Sequence, residues 1–195
     1  MAQRTGKLEG CRVARTVSGN SALILYVPEG RAAARSWTGT ELVHGVAANL
    51  DTSTGYAKAG CMVYMNSTRA LECWPGDQVA TGYDTIQNQL LGLLLEDCNG
   101  TTTHKVAIAA AVPDTIFETS IVSQTATTTA TTSATLAGLR MAASVNGSRF
   151  FLDRTTETPS IGSPIFQVVN IQDSEQEGVL YGRVQFIARK SLLNN

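Results

Sequence analysis

The residues that could carry out catalytic chemistry are few and form no known catalytic motif. The two histidines, His44 and His104, fall in candidate strands of different halves of the chain. The DTSTG stretch (51–55) superficially resembles an aspartic-protease loop, but Gly55 is four residues after Asp51 and that loop needs its glycine two residues after the aspartate. Dinucleotide-binding, Walker A, HExxH and GxSxG motifs are absent from the sequence. We therefore predict that the protein is not an enzyme and assign no catalytic residue, with a small β-rich hydrolase as a remote alternative.

The cysteines and acidic residues do not have the spacing of metal or redox sites. Cys11, Cys61, Cys73 and Cys98 are scattered and form no C-x-x-C pair, whereas zinc and redox motifs take two sulfurs from one tight turn. The DCNGT stretch (97–101) lacks the acidic density of a calcium loop. We predict no metal, no cofactor and four separate thiols in a reducing compartment. A disulfide such as Cys61–Cys73 stays open.

Composition excludes several classes of partner. The chain has 195 residues, of which 43% are hydrophobic and 16% charged, and its net charge is −1. A near-neutral chain releases few counterions from phosphates, so we predict no nucleic-acid partner. The longest apolar runs, 90–95 and 106–112, fall far short of the roughly 20 residues of a membrane span. The N-terminus lacks the apolar core of a signal peptide. We expect a soluble, unsecreted protein without a membrane partner.

Short β-branched or aromatic stretches alternate with turn signals about every 8–12 residues, a pattern typical of all-β proteins. The candidate strands are 21–27, 41–47, 60–65, 78–83, 90–97, 104–112, 115–122, 134–143, 148–153, 163–169 and 178–189. The segment 83–97 has a helical alternative with Asp84 as N-cap, but its apolar residues on all sides favour a turn followed by a buried strand.

Two strands show the period-two alternation of a sheet with one buried face. In 148–153, Phe150 and Leu152 oppose Arg149, Phe151 and Asp153. In 178–189, one face is predicted to hold Leu180, Val184, Phe186 and Ala188, and the other Tyr181, Arg183, Gln185 and Arg189.

The segment 123–138 is rich in Thr and Ala and carries no charge. Because Thr prefers extended backbone and nothing here repels a neighbouring strand, a long mobile hairpin or loop is one interpretation. A solvated disordered loop is the other.

The chain divides into an arm and two halves. We predict an N-terminal arm (1–20), an N-terminal β-rich domain (21–100) and a C-terminal β-barrel-like domain (101–195), because a polar, turn-rich link occupies 96–104. Basic residues cluster in and after the arm, at Arg4, Lys7, Arg12, Arg15, Arg31 and Arg35. Arginine on a mobile arm suits docking to an acidic protein surface; a solvated tail is the alternative.

The order of motifs over 75–122 resembles that of tailed-phage capsid decoration (cement) proteins. The matching elements are a strand from Leu90 to Asp97, a Gly/Thr turn from Asn99 to Thr103, a small-residue strand from Val106 to Val112, and Pro113 to Glu118. The pattern continues through the Thr/Ala stretch, NGSRFFLD, SPIFQVV and GVLYGRVQFIAR. It covers about residues 20–190, and 30–47 departs from it.

The resemblance implies small β-barrel, tulip-like or β-sandwich domains with an extended N-terminal arm and long loops. It also implies a non-enzymatic protein on the exterior of the virion, made in the host cytoplasm. Its partners would be the major capsid protein, whose neighbouring capsomers it bridges, and other copies of itself, a trimer first and a dimer next. The six basic residues above become the expected capsid-docking residues. A tail-tube or other virion subunit is the alternative.

Overall fold

A computed structural model of the chain describes the residues 4–5, 9–28, 35–36, 54–55, 57–65, 69, 71–74, 90–99, 103–123, 130–146, 149–159, 165–172 and 178–193. Within these ranges the chain forms strands and one 3-10 helix, Ala134–Leu136. The all-β class predicted from the sequence is confirmed. No helix in this described part is long and apolar enough to cross a bilayer.

The strands, numbered in chain order, are β1 (Arg4–Thr5), β2 (Arg12–Thr16), β3 (Ile24–Pro28), β4 (Arg35–Ser36), β5 (Thr54–Gly55), β6 (Met62–Met65), β7 (Leu71–Cys73), β8 (Leu90–Leu94), β9 (Lys105–Ala110), β10 (Thr115–Val122), β11 (Arg140–Asn146), β12 (Arg149–Thr158), β13 (Phe166–Ile171), β14 (Val179–Leu180) and β15 (Arg183–Ala188). The predicted strands 41–47 and 78–83 lie outside the described residues. The predicted strand 134–143 begins only at Arg140, because the 3-10 helix occupies its first residues.

Five strands close into a barrel in the order β12–β11–β13–β15–β10. The barrel closes through a parallel pair, in which Ile121 and Val122 of β10 lie beside Leu152 and Asp153 of β12. Because β12 occupies only the last residues of β10, the earlier residues of β10 are open to another strand. β2 pairs there in antiparallel orientation. The N-terminal strand is therefore part of the barrel wall.

Aromatic rings fill the barrel. Phe166 has its ring centroid 5.1 Å from that of Phe150 and 5.7 Å from that of Phe186, both in edge contacts, a geometry that aromatic quadrupoles favour. Phe150 and Leu152 lie in this main core, while Phe151 joins a separate cluster. The alternation predicted for 148–153 is confirmed, but the prediction of a single buried face was wrong, because Phe151 and Asp153 are buried as well.

The predicted strand 178–189 is divided by a turn. Tyr181 has a φ of 57°, a left-handed conformation that breaks the alternation between β14 and β15. Beyond the turn, Val184 and Phe186 face the main core as predicted. The prediction for Leu180 was wrong, because this residue packs instead against the separate cluster that contains Phe151.

A second, wholly antiparallel sheet has the order β3–β9–β8–β6–β7. Leu90–Leu94 is a fully buried strand, so for these residues the strand interpretation was right and the helical one wrong; Asp84 lies outside the described residues. Trp74, which is fully buried, joins this sheet to the barrel, with edge contacts to Tyr64 and Phe166.

Strands from the two sides of the predicted domain boundary at residue 100 pair with each other. β9 follows the boundary yet pairs within the second sheet, with β3 and β8. β2, from the predicted arm, belongs to the barrel wall. Side chains of both sheets form one core cluster. The division into two domains concerns which parts fold independently, and it stays a prediction.

The second half of the Thr/Ala segment is hydrogen-bonded to residues at the start of β14. Thr132 N donates to Val179 O at 3.0 Å, and Thr132 O accepts from Gly178 N at 2.8 Å. Thr132 itself is buried. Ala130 and Leu136 are buried as well, whereas residues 134, 135, 137 and 138 are exposed, so the stretch 130–138 is partly packed and partly solvated; 124–129 lie outside the described residues.

Candidate functional site

Exposed apolar side chains gather at one edge of the second sheet. Leu23, Ile24 and Tyr26 are 51%, 37% and 71% exposed. Burial alternates along β3, so Ile24 and Tyr26 face solvent while Leu25 packs against the core. We call Leu23, Ile24 and Tyr26 the apolar edge. Contiguous exposed apolar side chains of this kind mark contact surfaces.

The apolar edge belongs to β3, which lies at one end of the second sheet as far as the structure describes the chain. In the described part of the chain, β3 pairs with β9 alone and ends the sheet. The sequence from 21 to 28, SALILYVP, contains no charged residue. Natural edge strands usually carry charges or bulges that block pairing with another chain. The one feature of β3 that blocks such pairing is Pro28, at the last position of the strand.

A charged cluster holds the N-terminal strand on the barrel. The Glu118 side chain, on the outer face of β10, is only 3% exposed. Its Oε1 accepts from Arg12 Nη2 at 2.5 Å and from Arg12 Nε at 3.1 Å, and Arg183 Nη1 lies 3.5 Å from it. Its Oε2 accepts from Gln172 Nε2 at 2.7 Å. The carboxylate is thus buried and compensated.

Glu9 extends this cluster to the start of the described arm. Its carboxylate lies 3.3 Å from Arg183 Nη1 and 3.6 Å from Arg12 Nη1. Its backbone N donates to Ser120 Oγ at 3.0 Å, and its carbonyl accepts from Ser120 N at 3.2 Å. We call Glu9, Arg12, Glu118 and Arg183 the arm clamp, because they tie residues 9–16 to β10 and β15.

The arm clamp lowers the pKa of Glu118. Burial by itself raises this pKa, but hydrogen bonds from Arg12 and Gln185, together with the positive charges of Arg12 and Arg183, outweigh burial and bring the pKa below its ordinary value. A carboxyl group whose pKa is depressed on folding contributes stability above its unfolded pKa, about 4.3 for Glu, and that stability is lost as the pH falls through the folded value.

Replacing Glu118 by Gln is therefore expected to flatten the pH dependence of stability in the acid range. We expect a loss of about 1.5–3 kcal/mol at neutral pH, the range for hydrogen bonds to charged groups, and a smaller loss below about pH 4. Urea unfolding of both proteins between neutral and acid pH measures this. Parallel curves for the two proteins would contradict the role assigned to the carboxylate.

The structure places the predicted docking residues in different situations. Arg12 is held in the arm clamp although its side chain is 54% exposed; Arg15, on the same strand, is also exposed. Arg4 lies on β1, which pairs with β14, and Arg35 lies on β4, which pairs with β5; their side chains are outside the description. Lys7 and Arg31 lie outside the described residues.

Neither the apolar edge nor the arm clamp was predicted from the sequence. Glu118 had a signal, since it is the one charged residue within the otherwise uncharged strand TIFETSIV, and a charge in such a strand is compensated when it is buried. The apolar edge had none, because SALILYV has the composition of a buried strand. Its exposure follows from the position of β3 at the end of the sheet.

The remaining chemistry-bearing residues have structural environments. Cys11, Cys61 and Cys98 are buried thiols, and burial raises the pKa of Cys11, with a further contribution from Cys61; the Cys73 side chain is not described. A hydrogen bond from Ala59 N lowers the pKa of Asp97.

No three His, Cys, Asp or Glu side chains within the described ranges could jointly hold a metal ion. His44 lies outside those ranges. The geometry of the described residues therefore offers a contact surface and a structural clamp as its main features. Comparisons with protein-family models, with curated proteins and with solved structures give no match to this chain.

Proposed function

We propose that this chain is a structural virion protein that binds the outside of a phage capsid and bridges neighbouring capsomers. The observation that carries the proposal is the apolar edge, an uncharged and exposed strand margin suited to protein–protein contact. The order of motifs over 75–122 supplies the virion context through its resemblance to capsid decoration proteins. The major capsid protein is the partner, and the protein acts without a cofactor.

Bridging stabilises a shell by two physical effects. A protein that binds the assembled lattice and not its separated subunits shifts the equilibrium toward the assembled state. Several modest contacts per copy add up, because a copy held at one site has a high effective concentration at the next. A chain with 16% charged residues and a net charge of −1 can also pack closely beside its neighbours with little repulsion.

The basic residues of the arm supply the capsid contact in this proposal. Arg15 is exposed on β2, and the arm clamp fixes that strand on the barrel, so that the guanidinium is presented from a rigid wall. An arginine fork binds carboxylates of an acidic surface in a bidentate manner. Arg4 and Lys7 precede it, and Arg31 and Arg35 follow. Arg12 is already engaged by Glu118 and contributes to positioning.

The test is uptake of the purified protein by capsids that lack it. We expect stoichiometric binding, which Arg15→Glu and a deletion of residues 2–8 weaken by about tenfold at low salt, since surface charges act mainly on association. Arg189→Glu makes the same charge change at another exposed arginine and should bind normally. A deletion of 2–16 is unsuitable, because it removes β2 and the arm clamp.

Other outcomes would contradict the proposal. Tubes or rings formed by the protein alone would assign it to the tail or to another virion structure. A protein that ignores capsids would exclude the bridging role, and assays for hydrolase activity would then be the next step. Uptake that is unchanged in both arm variants would remove the arm from the capsid contact.

A further inference from the structure

We propose that the outer edge of β3 binds a second copy of this chain, through antiparallel pairing of the two β3 strands about a two-fold axis at Tyr26. The choice of a second copy as the partner rests on the proposed function, which includes self-association. The pairing itself does not require a capsid. It would join the two copies of the second sheet into one continuous sheet.

The backbone of β3 offers hydrogen-bonding groups on its outer side. Leu23 O accepts from Ala110 N at 2.8 Å, and Leu25 lies opposite Ile108 of β9. Because backbone groups alternate in direction along an antiparallel strand, those of Ile24 and Tyr26 point away from β9. Tyr26 of each copy can then exchange N–H···O=C bonds with Tyr26 of the other.

The side chains of β3 are compatible with this register. Burial along β3 runs exposed, intermediate, exposed, intermediate, exposed. In an antiparallel pair centred on Tyr26, Ile24 lies opposite Pro28 of the other copy, and the exposed residues of both strands share one face. Leu23, directly before β3, is also exposed. Pro28 has no N–H and marks the end of the pairing.

The absence of charge favours a second copy as the partner. A two-fold contact places each residue near the axis against its own copy, so a charged residue there would repel itself. Residues 21–28 contain no charge. The opposite edge strand of the same sheet, β7, carries Glu72 at its centre, a feature that discourages pairing. β3 is therefore the edge suited to self-association.

The available area makes this pairing weak in isolation. A Tyr side chain carries about 150–250 Å², and 71% of Tyr26 is exposed. With the other residues of the apolar edge, two copies would bury on the order of 800 Å², below the roughly 1,200–2,000 Å² of stable complexes. We expect dimers only at about micromolar concentration or higher. Copies that a lattice holds side by side would pair much more readily. The pairing favours the dimer over the trimer.

The experiment is sedimentation of the protein without capsids, as wild type, Tyr26→Lys, Tyr26→Glu and an equal mixture of the two variants. We expect the wild type to dimerise with increasing concentration and each variant alone to associate about tenfold or more weakly, since like charges meet at the axis. The mixture should regain association, because Lys faces Glu. Leu193→Lys, at an exposed leucine outside β3, should behave as the wild type.

A wild type that stays monomeric at high concentration, variants that dimerise normally, or a mixture that stays monomeric would each overturn the pairing. Circular dichroism checks that each variant folds. If the charged variants do not fold, Tyr26→Thr, which keeps strand propensity without charge, replaces them and should also weaken association. Uptake by capsids is measured separately. Pairing without uptake would overturn the proposed function alone, and uptake without pairing would overturn this inference alone.

Discussion

A Gly92→Ala protein is expected to lose more than about 4 kcal/mol of folding free energy, a loss that only severe steric or packing defects produce. Gly92 lies in the middle of the fully buried strand β8, with a φ of +154°. A Cβ at this position would lie 2.9 Å from both Ala109 C and Ala111 N, and closer still to Ala109 O. These are backbone atoms of β9 and the residue after it, so no side-chain rotation relieves the clash.

The backbone around Gly92 is also held by its pairing with β9. Ala111 N donates to Leu91 O at 2.8 Å, and Gly92 lies opposite Ala110. Moving β9 away to admit a methyl group would therefore break the pairing between β8 and β9. Urea unfolding followed by circular dichroism measures the loss; an insoluble or unfolded variant agrees with the prediction.

Gly10→Ala is the matched control. A Cβ there would meet Arg149 Cγ at 3.7 Å, an ordinary van der Waals contact. We expect its stability to lie within about 1 kcal/mol of the wild type. If Gly92→Ala were as stable as Gly10→Ala, the close approach of β8 and β9 would be wrong.

Trp74→Ala is expected to cost about 3–5 kcal/mol, the range for removing a large aromatic side chain from a core. The Trp74 ring is fully buried, with its centroid 6.1 Å from that of Tyr64 and 5.7 Å from that of Phe166. Tyr64 belongs to the second sheet and Phe166 to the barrel. Removal of the indole would leave a cavity at the joint between the two sheets, in addition to the lost burial.

Trp74→Phe separates the two contributions. A phenyl ring retains part of the edge contacts and fills much of the space, so we expect a clearly smaller loss of about 1–2 kcal/mol. Urea unfolding curves, recorded at several wavelengths, give the loss of folding free energy for each of the two variants. Equal losses for the two variants would contradict the role of ring packing, and no loss in either would show that the sheets do not meet at Trp74.

Local patterns in the sequence predicted the barrel strands better than their connections. The alternation of Phe150 and Leu152 with Phe151 identified the face of β12 that lies in the main core, because side chains on a strand alternate strictly. The turn at Tyr181 had no such signal, since a positive φ at a tyrosine is set by its surroundings. The closure of the barrel, between Val122 and Asp153, joins strands that are distant in sequence, and local periodicity does not encode such pairing.

The candidate site was less accessible to prediction for the same reason. Arg12 was singled out as a docking residue because it is basic and lies near the N-terminus. Its partner Glu118 is 106 positions away, and only the fold brings the two together. The exposure of Tyr26 likewise depends on the place of β3 in the sheet order, since a strand of identical composition in the middle of the sheet would be buried.

The heat resistance of the shell tests the bridging role most directly. Capsids lacking this chain are heated with and without the purified protein, and their rupture is followed by release of the packaged DNA or by light scattering. We predict a higher rupture temperature with wild-type protein bound at saturation, and a smaller increase with Tyr26→Lys, which would bind without pairing. An unchanged rupture temperature at full occupancy by the wild type would contradict the bridging role.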